Sequence, residues 1–110
     1  MFKAILLTQS QDRKTHAELV DLDDSRLPDR DVTVDVAYST LNYKDALAIT
    51  GRGAVVRSWP LVPGIDLAGT VADSRHADWK PGDEVVVTGW GQGENHWGGL
   101  TQRQRVDAGW

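Results

Sequence analysis

Cysteine is absent from the 110 residues, which excludes disulfides, a thiolate nucleophile and every thiolate zinc site. Histidine is scarce: His16, His76 and His96 lie far apart and none falls in an H-x-x-x-H or H-E-x-x-H spacing, so no metal site is expected. Twelve Lys and Arg are scattered among sixteen Asp and Glu for a formal charge of -4. There is thus no continuous basic stripe to neutralise phosphates, and nucleic acid is not an expected partner. No stretch approaches the ~20 apolar residues needed to cross a bilayer. The opening "MFKAILLTQSQDRK" has too short an apolar run for a signal peptide. A cytoplasmic protein with no membrane partner is expected.

What is present describes a small β-rich domain. Composition is 40% hydrophobic and 25% charged, with eleven glycines and four prolines as punctuation, and a chain of this length can bury roughly two-thirds of its unfolded surface around one core. The runs "FKAILLT" (2–8) and "THAELV" (15–20), separated by a polar turn, predict a first hairpin or meander. In "DVTVDVAYS" (31–39) Val32, Val34 and Val36 alternate with Thr33 and Asp35, which predicts a strand with the valines on its buried face. "PGIDLAGTVADS" (63–74) opens on a Pro-Gly turn and places Ile65, Leu67, Gly69 and Val71 on one side of a strand, with Gly69 marking a close backbone approach or a bulge. "WKPGDEVVVTGW" (79–90) repeats that plan, with Val85–Val87 expected as a fully buried strand. A glycine-rich loop (89–100) and a half-exposed last strand (101–106) complete a barrel-like arrangement.

"LNYKDALAITG" (41–51) is the one helical segment. Asn42 is placed to accept hydrogen bonds from the first free helix amides, Ala46–Ile49 suit one or two helical turns, and Gly51 ends them. Several other features carry a chemical and a plain reading side by side. Glycines 89, 91 and 93 do not make a dinucleotide fingerprint, because position 96 is His, and they are expected simply to allow positive backbone angles in a tight loop. His96 beside Glu94 can donate protons or orient a substrate, or both can be loop residues bonding the backbone. Lys44, Arg52 and Arg57 form a local positive cluster able to meet phosphates or to face water. The five tryptophans are expected in the core or at an interface.

Four segments in order, "LNYKDALAITG", "VPGIDLAGTV", "KPGDEVVVTGWG" and "GENHWGGL", resemble the N-terminal part of the medium-chain dehydrogenase/reductase superfamily. Within it they are most similar to the zinc-independent acrylyl-CoA reductase family, also described as YhdH-type quinone oxidoreductases. The resemblance implies a mainly β, GroES-like, partly open barrel over residues 1–110, with one or two short helices. It implies hydride transfer from NADPH to the β-carbon of acrylyl-CoA or a similar 2-enoyl-CoA. The Rossmann domain that would hold most of the NADPH is expected to lie outside this chain, so that the chain alone is inactive, a truncated or isolated domain. Asn42 matches the position of a cysteine zinc ligand, and Pro63-Gly64-Ile65-Asp66 replaces "PGHE", which implies no zinc.

By the same resemblance Asn42 and Tyr43 are the expected catalytic residues, with Tyr43 touching the nicotinamide cofactor and Asp45 orienting the helix start. Lys44, Asp66 and His96 are the expected lining of the substrate cleft. Two alternatives stand beside this reading: an NADPH:quinone reductase domain, and a non-catalytic GroES-like binding or assembly module. An exposed Trp110 on a bare domain face would favour a homo-oligomer.

Overall fold

The computed structural model describes residues 1–110 throughout. Strands β1 (Phe2–Gln9) and β2 (Thr15–Leu22) form the expected antiparallel hairpin, with Phe2 opposite Leu22 and Gln9 opposite Thr15. β2 is the outer strand, and its residues 16–19 are exposed, the apolar Leu19 among them. A 3₁₀ turn at Asp24–Arg26, capped by the Asp23 carboxylate on the Ser25 N–H, leads into the second sheet.

That sheet contains β3 (Val32–Ser39), β4 (Asp66–Ser74), β5 (Glu84–Thr88) and β6 (Arg103–Val106), all antiparallel in the order β5-β4-β3-β6. The alternation in β3 works as its sequence requires. Val32 and Val34 are buried with Leu67, Val71, Val87 and Val106, and Val36 packs half-buried against them. One expectation fails: β5 is not a fully buried strand. It is the sheet's edge, with only one covered face, so Val87 is buried while Val86 is 69% exposed. Gly69 is a close approach, as expected. A Cβ there would stand 2.1 Å from the Asp35 carbonyl oxygen, beside a register shift between Val36 and Tyr38.

The hairpin joins the sheet through irregular backbone. Leu7 and Leu61 exchange N–H···O bonds of 2.7 and 2.9 Å, the Ile5 N–H donates to Leu100 O, and the Gln102 N–H donates to Lys3 O while Gln102 O accepts from Val36. These bonds curl the layers toward each other without closing them, so β2 and β5 remain free edges of a partly open barrel. Two further clusters fill the space: Phe2, Ala4, Leu22, Leu27 and Val62, and Leu7, Ala48, Val55 and Leu61, with Trp97 packed against both. Trp59, Trp79 and Trp110 also pack on core clusters. Trp90 alone is largely exposed, at 60%. Trp110 is therefore not the bare aromatic that its terminal position suggested.

Candidate functional site

Helix α1 (Tyr43–Thr50) starts at the edge where β3 ends and β4 begins, and its first turn gathers the polar residues of the opening motif. Its N-cap, Asn42, has extended backbone angles, and Gly51 ends the helix in the left-handed region at φ 72°. The organising group is Asp45, only 1% exposed. One of its carboxyl oxygens accepts from the Asn42 N–H at 2.9 Å, the reciprocal arm of a capping box. The other accepts from the Ile65 N–H at 3.0 Å. A single side chain thereby fixes the helix start to the Pro63-Gly64-Ile65 bend.

The Asn42 amide nitrogen is held among three acceptors: Thr40 Oγ1 at 2.8 Å, Asp45 Oδ2 at 3.3 Å and Asp66 Oδ2 at 3.3 Å. Two N–H protons among three acceptors leave no donor to spare, and two neighbouring carboxyl groups fix which end of the amide is nitrogen. Thr40 Oγ1 also donates to Asp66 Oδ2 at 3.0 Å, and Ser39 Oγ donates to the Asp66 carbonyl at 2.8 Å. Asn42, Asp45 and Asp66 are thus one network. Thr40 belongs to it although no sequence pattern singled it out; a hydroxyl two residues before an N-cap was the available signal.

Tyr43, next in sequence, has the opposite character. It is 81% exposed and its hydroxyl makes no hydrogen bond. Leu41 and Tyr38, at 70% and 77%, are exposed on the same stretch of chain. The Tyr38 and Tyr43 phenols are both free donors, and Tyr43 is the one set at the start of the helix, directly after Asn42. Lys44 forms an ion pair of 2.6 Å with Glu94, which ties the helix to the glycine-rich loop.

His96 is separated from this network. It is 7% exposed; its Nδ1 lies 2.7 Å from the Trp97 carbonyl, and its ring meets Trp110 edge-on at 4.7 Å. An Nδ1–H donor to that carbonyl leaves Nε2 as a buried lone pair without a partner. Burial pushes the imidazole below its ordinary pKa, the Trp97 carbonyl acts in the opposite direction, and the Arg30 charge adds to the lowering. An unfolded His96 takes up a proton near pH 6.5 while the folded one does not, so the unfolded chain binds more protons just below that pH. Stability must fall as pH drops through this window, by up to about 1.4 kcal/mol per pH unit. Urea melts from pH 7.5 to 5 check this: a His96→Phe chain, which keeps the aromatic contact, should show a shallower acid slope than the parent, and equal slopes would remove the effect from His96.

The loop's glycines behave as expected, with φ of 76°, 80° and 73° at Gly89, Gly91 and Gly93. A buried neighbour escaped the sequence reading: Gln92 sits at 1% exposure with its amide nitrogen directed at the Ile65 and Gly89 carbonyls. No group of three or more His, Asp or Glu side chains converges as metal ligands would. At the Asn42 and Asp66 positions the donor set does not fit a metal, because the Asp66 Oδ2 atom is already turned to Thr40 and Asn42 donors. No helix is long and apolar enough to cross a membrane.

Comparison with known proteins agrees with this fold. The alcohol dehydrogenase GroES-like domain family matches residues 28–108. A probable acrylyl-CoA reductase of Escherichia coli K12 is 58% identical over 96% of this chain and 32% of its own. An acrylyl-CoA reductase of Ruegeria pomeroyi is 50% identical over 100% of this chain and 34% of its own. The crystal structure of the yhdH oxidoreductase from Salmonella enterica, in complex with NADP, superposes with a TM-score of 0.94 at 55% identity, covering 98% of this chain and 33% of that one. The chain spans about a third of the length of the curated relatives it matches.

Proposed function

Because the chain belongs to the alcohol dehydrogenase GroES-like domain family, we propose that it is the substrate-side domain, residues 1–110, of a cytoplasmic, zinc-independent NADPH-dependent reductase acting on the C=C bond of acrylyl-CoA or a similar 2-enoyl-CoA. A separate Rossmann unit supplies most of the cofactor's binding. The observation that carries this reading is an exposed, unbonded Tyr43 hydroxyl standing on a rigid base of mutually saturated polar groups.

NADPH, when bound, supplies the hydride that the β-carbon of the enoyl thioester accepts. Negative charge then develops on the thioester oxygen, which needs a hydrogen-bond donor, and the α-carbon needs a proton. Tyr43, seated at the helix start beside Asn42, has an O–H free to serve there or to hold the nicotinamide end of the cofactor. Asn42 has no spare N–H for an oxyanion. Its part, with Thr40, Asp45 and Asp66, is to fix the Tyr43 backbone so that the phenol is offered in one place. Lys44 is committed to Glu94, and the buried His96 takes no part in this scheme.

The test is the Tyr43→Phe variant of the full-length protein. Loss of this donor should lower kcat/KM for acrylyl-CoA with NADPH by about 10²-fold, with stability unchanged within about 0.5 kcal/mol because the side chain is exposed. A parent enzyme that reduces quinones but no enoyl thioester refutes the substrate assignment. A Tyr43→Phe enzyme with full turnover refutes the role given to the phenol.

A further inference from the structure

A second feature lies at the far end of α1. A cavity of about 320 Å³ opens there, lined by Gln9, Arg13 and Thr15 of the hairpin turn and by Gly51, Arg52 and Trp59 of the segment after the helix. It differs from the other principal concavities in charge. The one around Arg103 includes Asp23, Asp24 and Asp35, and the one around Arg75 and Arg105 includes Asp29, Asp31 and Asp73. Two more are lined mainly by valines, alanines and aromatic rings. Around the α1 cavity there are two arginines and no carboxylate, although the chain as a whole carries net negative charge.

Neither arginine is spent. Arg13 and Arg52 are exposed and form no ion pair, whereas Lys44 is held by Glu94, Lys3 by Asp21 and Arg103 by Asp24 and Asp35. Arg13 sits at φ 63° in the hairpin turn, which the Ser10 and Lys14 backbone closes with a 3.0 Å hydrogen bond. A third free arginine, Arg57, follows along the same segment, its N–H bonded to the Glu94 carbonyl at 2.8 Å. Guanidinium groups match phosphate oxygens through paired N–H donors, and the indole of Trp59 offers a face on which a purine can stack. The carbonyl end of α1 opposes an anion here, but that partial charge fades within one turn, while the arginines are full charges able to reach the ligand directly.

The position fits as well as the chemistry. Eight helical residues separate the Tyr43 end of α1 from the Gly51 end, about 12 Å at 1.5 Å per residue. A pantetheine arm is longer than that, so a thioester at Tyr43 can leave its nucleotide at the other end of the same helix. We propose that the Arg13–Arg52–Trp59 cavity binds the phosphorylated adenosine of the CoA substrate. This rests on the reductase reading given above, and it separates CoA esters from quinones, which carry no such group.

Calorimetric titration with adenosine 3′,5′-bisphosphate tests the proposal without requiring turnover. Saturable binding is expected, weakened about tenfold or more by Arg13→Gln and by Arg52→Gln, and weakened as salt rises. Arg75→Gln, in the aspartate-lined cavity, should bind as the parent does. All three arginines are exposed, so the variants should melt with the parent and loss of fold cannot imitate loss of binding. No binding at about 10 mM, equal binding by the arginine variants, or Arg13- and Arg52-dependent binding that prefers adenosine 2′,5′-bisphosphate, the NADPH fragment, each overturns the proposal. Failure of the two readings is distinguishable. A parent that reduces acrylyl-CoA but ignores the bisphosphate keeps the reductase and loses this cavity. Arginine-dependent bisphosphate binding by a protein without enoyl reduction keeps a CoA-binding cavity and loses the reductase.

Discussion

Asp45→Ala should be among the most damaging single changes in the chain, costing about 3–5 kcal/mol. The carboxyl accepts from the Asn42 N–H, the Ile65 N–H and the Asn42 side-chain amide, and it is only 1% exposed. Hydrogen bonds to a charged acceptor contribute ~1.5–3 kcal/mol each, and a buried N–H left without a partner costs ~1–3 kcal/mol. The two backbone donors alone account for the lower bound. Against a total stability of roughly 5–15 kcal/mol, such a loss places the domain near its unfolding threshold. Asp45→Asn separates the charge from the geometry. It keeps one carbonyl oxygen for one N–H but turns an amide nitrogen toward the other donor, so about half the loss should remain. Urea melts at pH 7 decide: the midpoint should move with the slope unchanged. A loss below about 1 kcal/mol for the alanine variant would mean that water replaces the carboxyl, and that Asp45 does not anchor the helix.

This anchor also marks how far the sequence could be read. The alternating valines of β3, the Pro-Gly entry to β4 and the polar turn of the hairpin were legible because period-2 patterning and turn chemistry are local. Val86 was not, because β5 and a central strand share the same run of valines; which one is the edge depends on the order in which strands pair. The role of the short helix was half legible. Asn42 read as an N-cap and Asp45 as a group orienting the helix start. That Asn42's nitrogen would be absorbed by Thr40, Asp45 and Asp66 needs the 24-residue separation from Asp66 to be closed by the fold. His96 and Lys44 show the same limit. Both are chemically able residues, but burial beneath Trp110 and an ion pair with Glu94 are tertiary facts that spacing does not encode. The free arginines of the α1 cavity were visible in part: Arg52 was grouped with Lys44 and Arg57, whereas its partner across the cavity, Arg13, comes from a turn some forty positions earlier.

Gly98→Ala is expected to be worse than the loss of Asp45, and the reason lies in how two of the glycine motifs meet. The Gly98 N–H donates to Val62 O at 2.6 Å, the Gly99 N–H to Gly64 O at 3.0 Å and the Leu100 N–H to Pro63 O at 3.0 Å, so the two segments run against each other as backbone on backbone. A Cβ on Gly98 would stand 2.1 Å from the Gly64 carbonyl oxygen and 2.8 Å from that of Pro63. Neither neighbour is a flexible side chain that can swing aside. Moving either strips the hydrogen bonds just named, and also the Gln104 amide, which donates to Gly98 O at 2.6 Å from a fully buried position. The bend at Gly64 precedes Ile65 and Asp66, so displacement reaches the Asp45 bond and the Asn42 network in turn. Overpacking of a tight interior costs ~1–3 kcal/mol when side chains can adjust; with backbone on both sides and several buried hydrogen bonds lost, more than about 4 kcal/mol is expected. Gly89→Ala is the control. It has the unfavourable φ of 76° but nothing within 4 Å of a new Cβ, so only the left-handed conformation is penalised, at ~1–2 kcal/mol. Thermal melts of both variants should therefore differ widely, with Gly98→Ala failing to give a cooperative transition or melting tens of degrees lower. Equal losses for the two would show that the contact between the 62–64 and 98–100 segments can open without cost, and the tight seating of Asp66 beside Asn42 would then need another support.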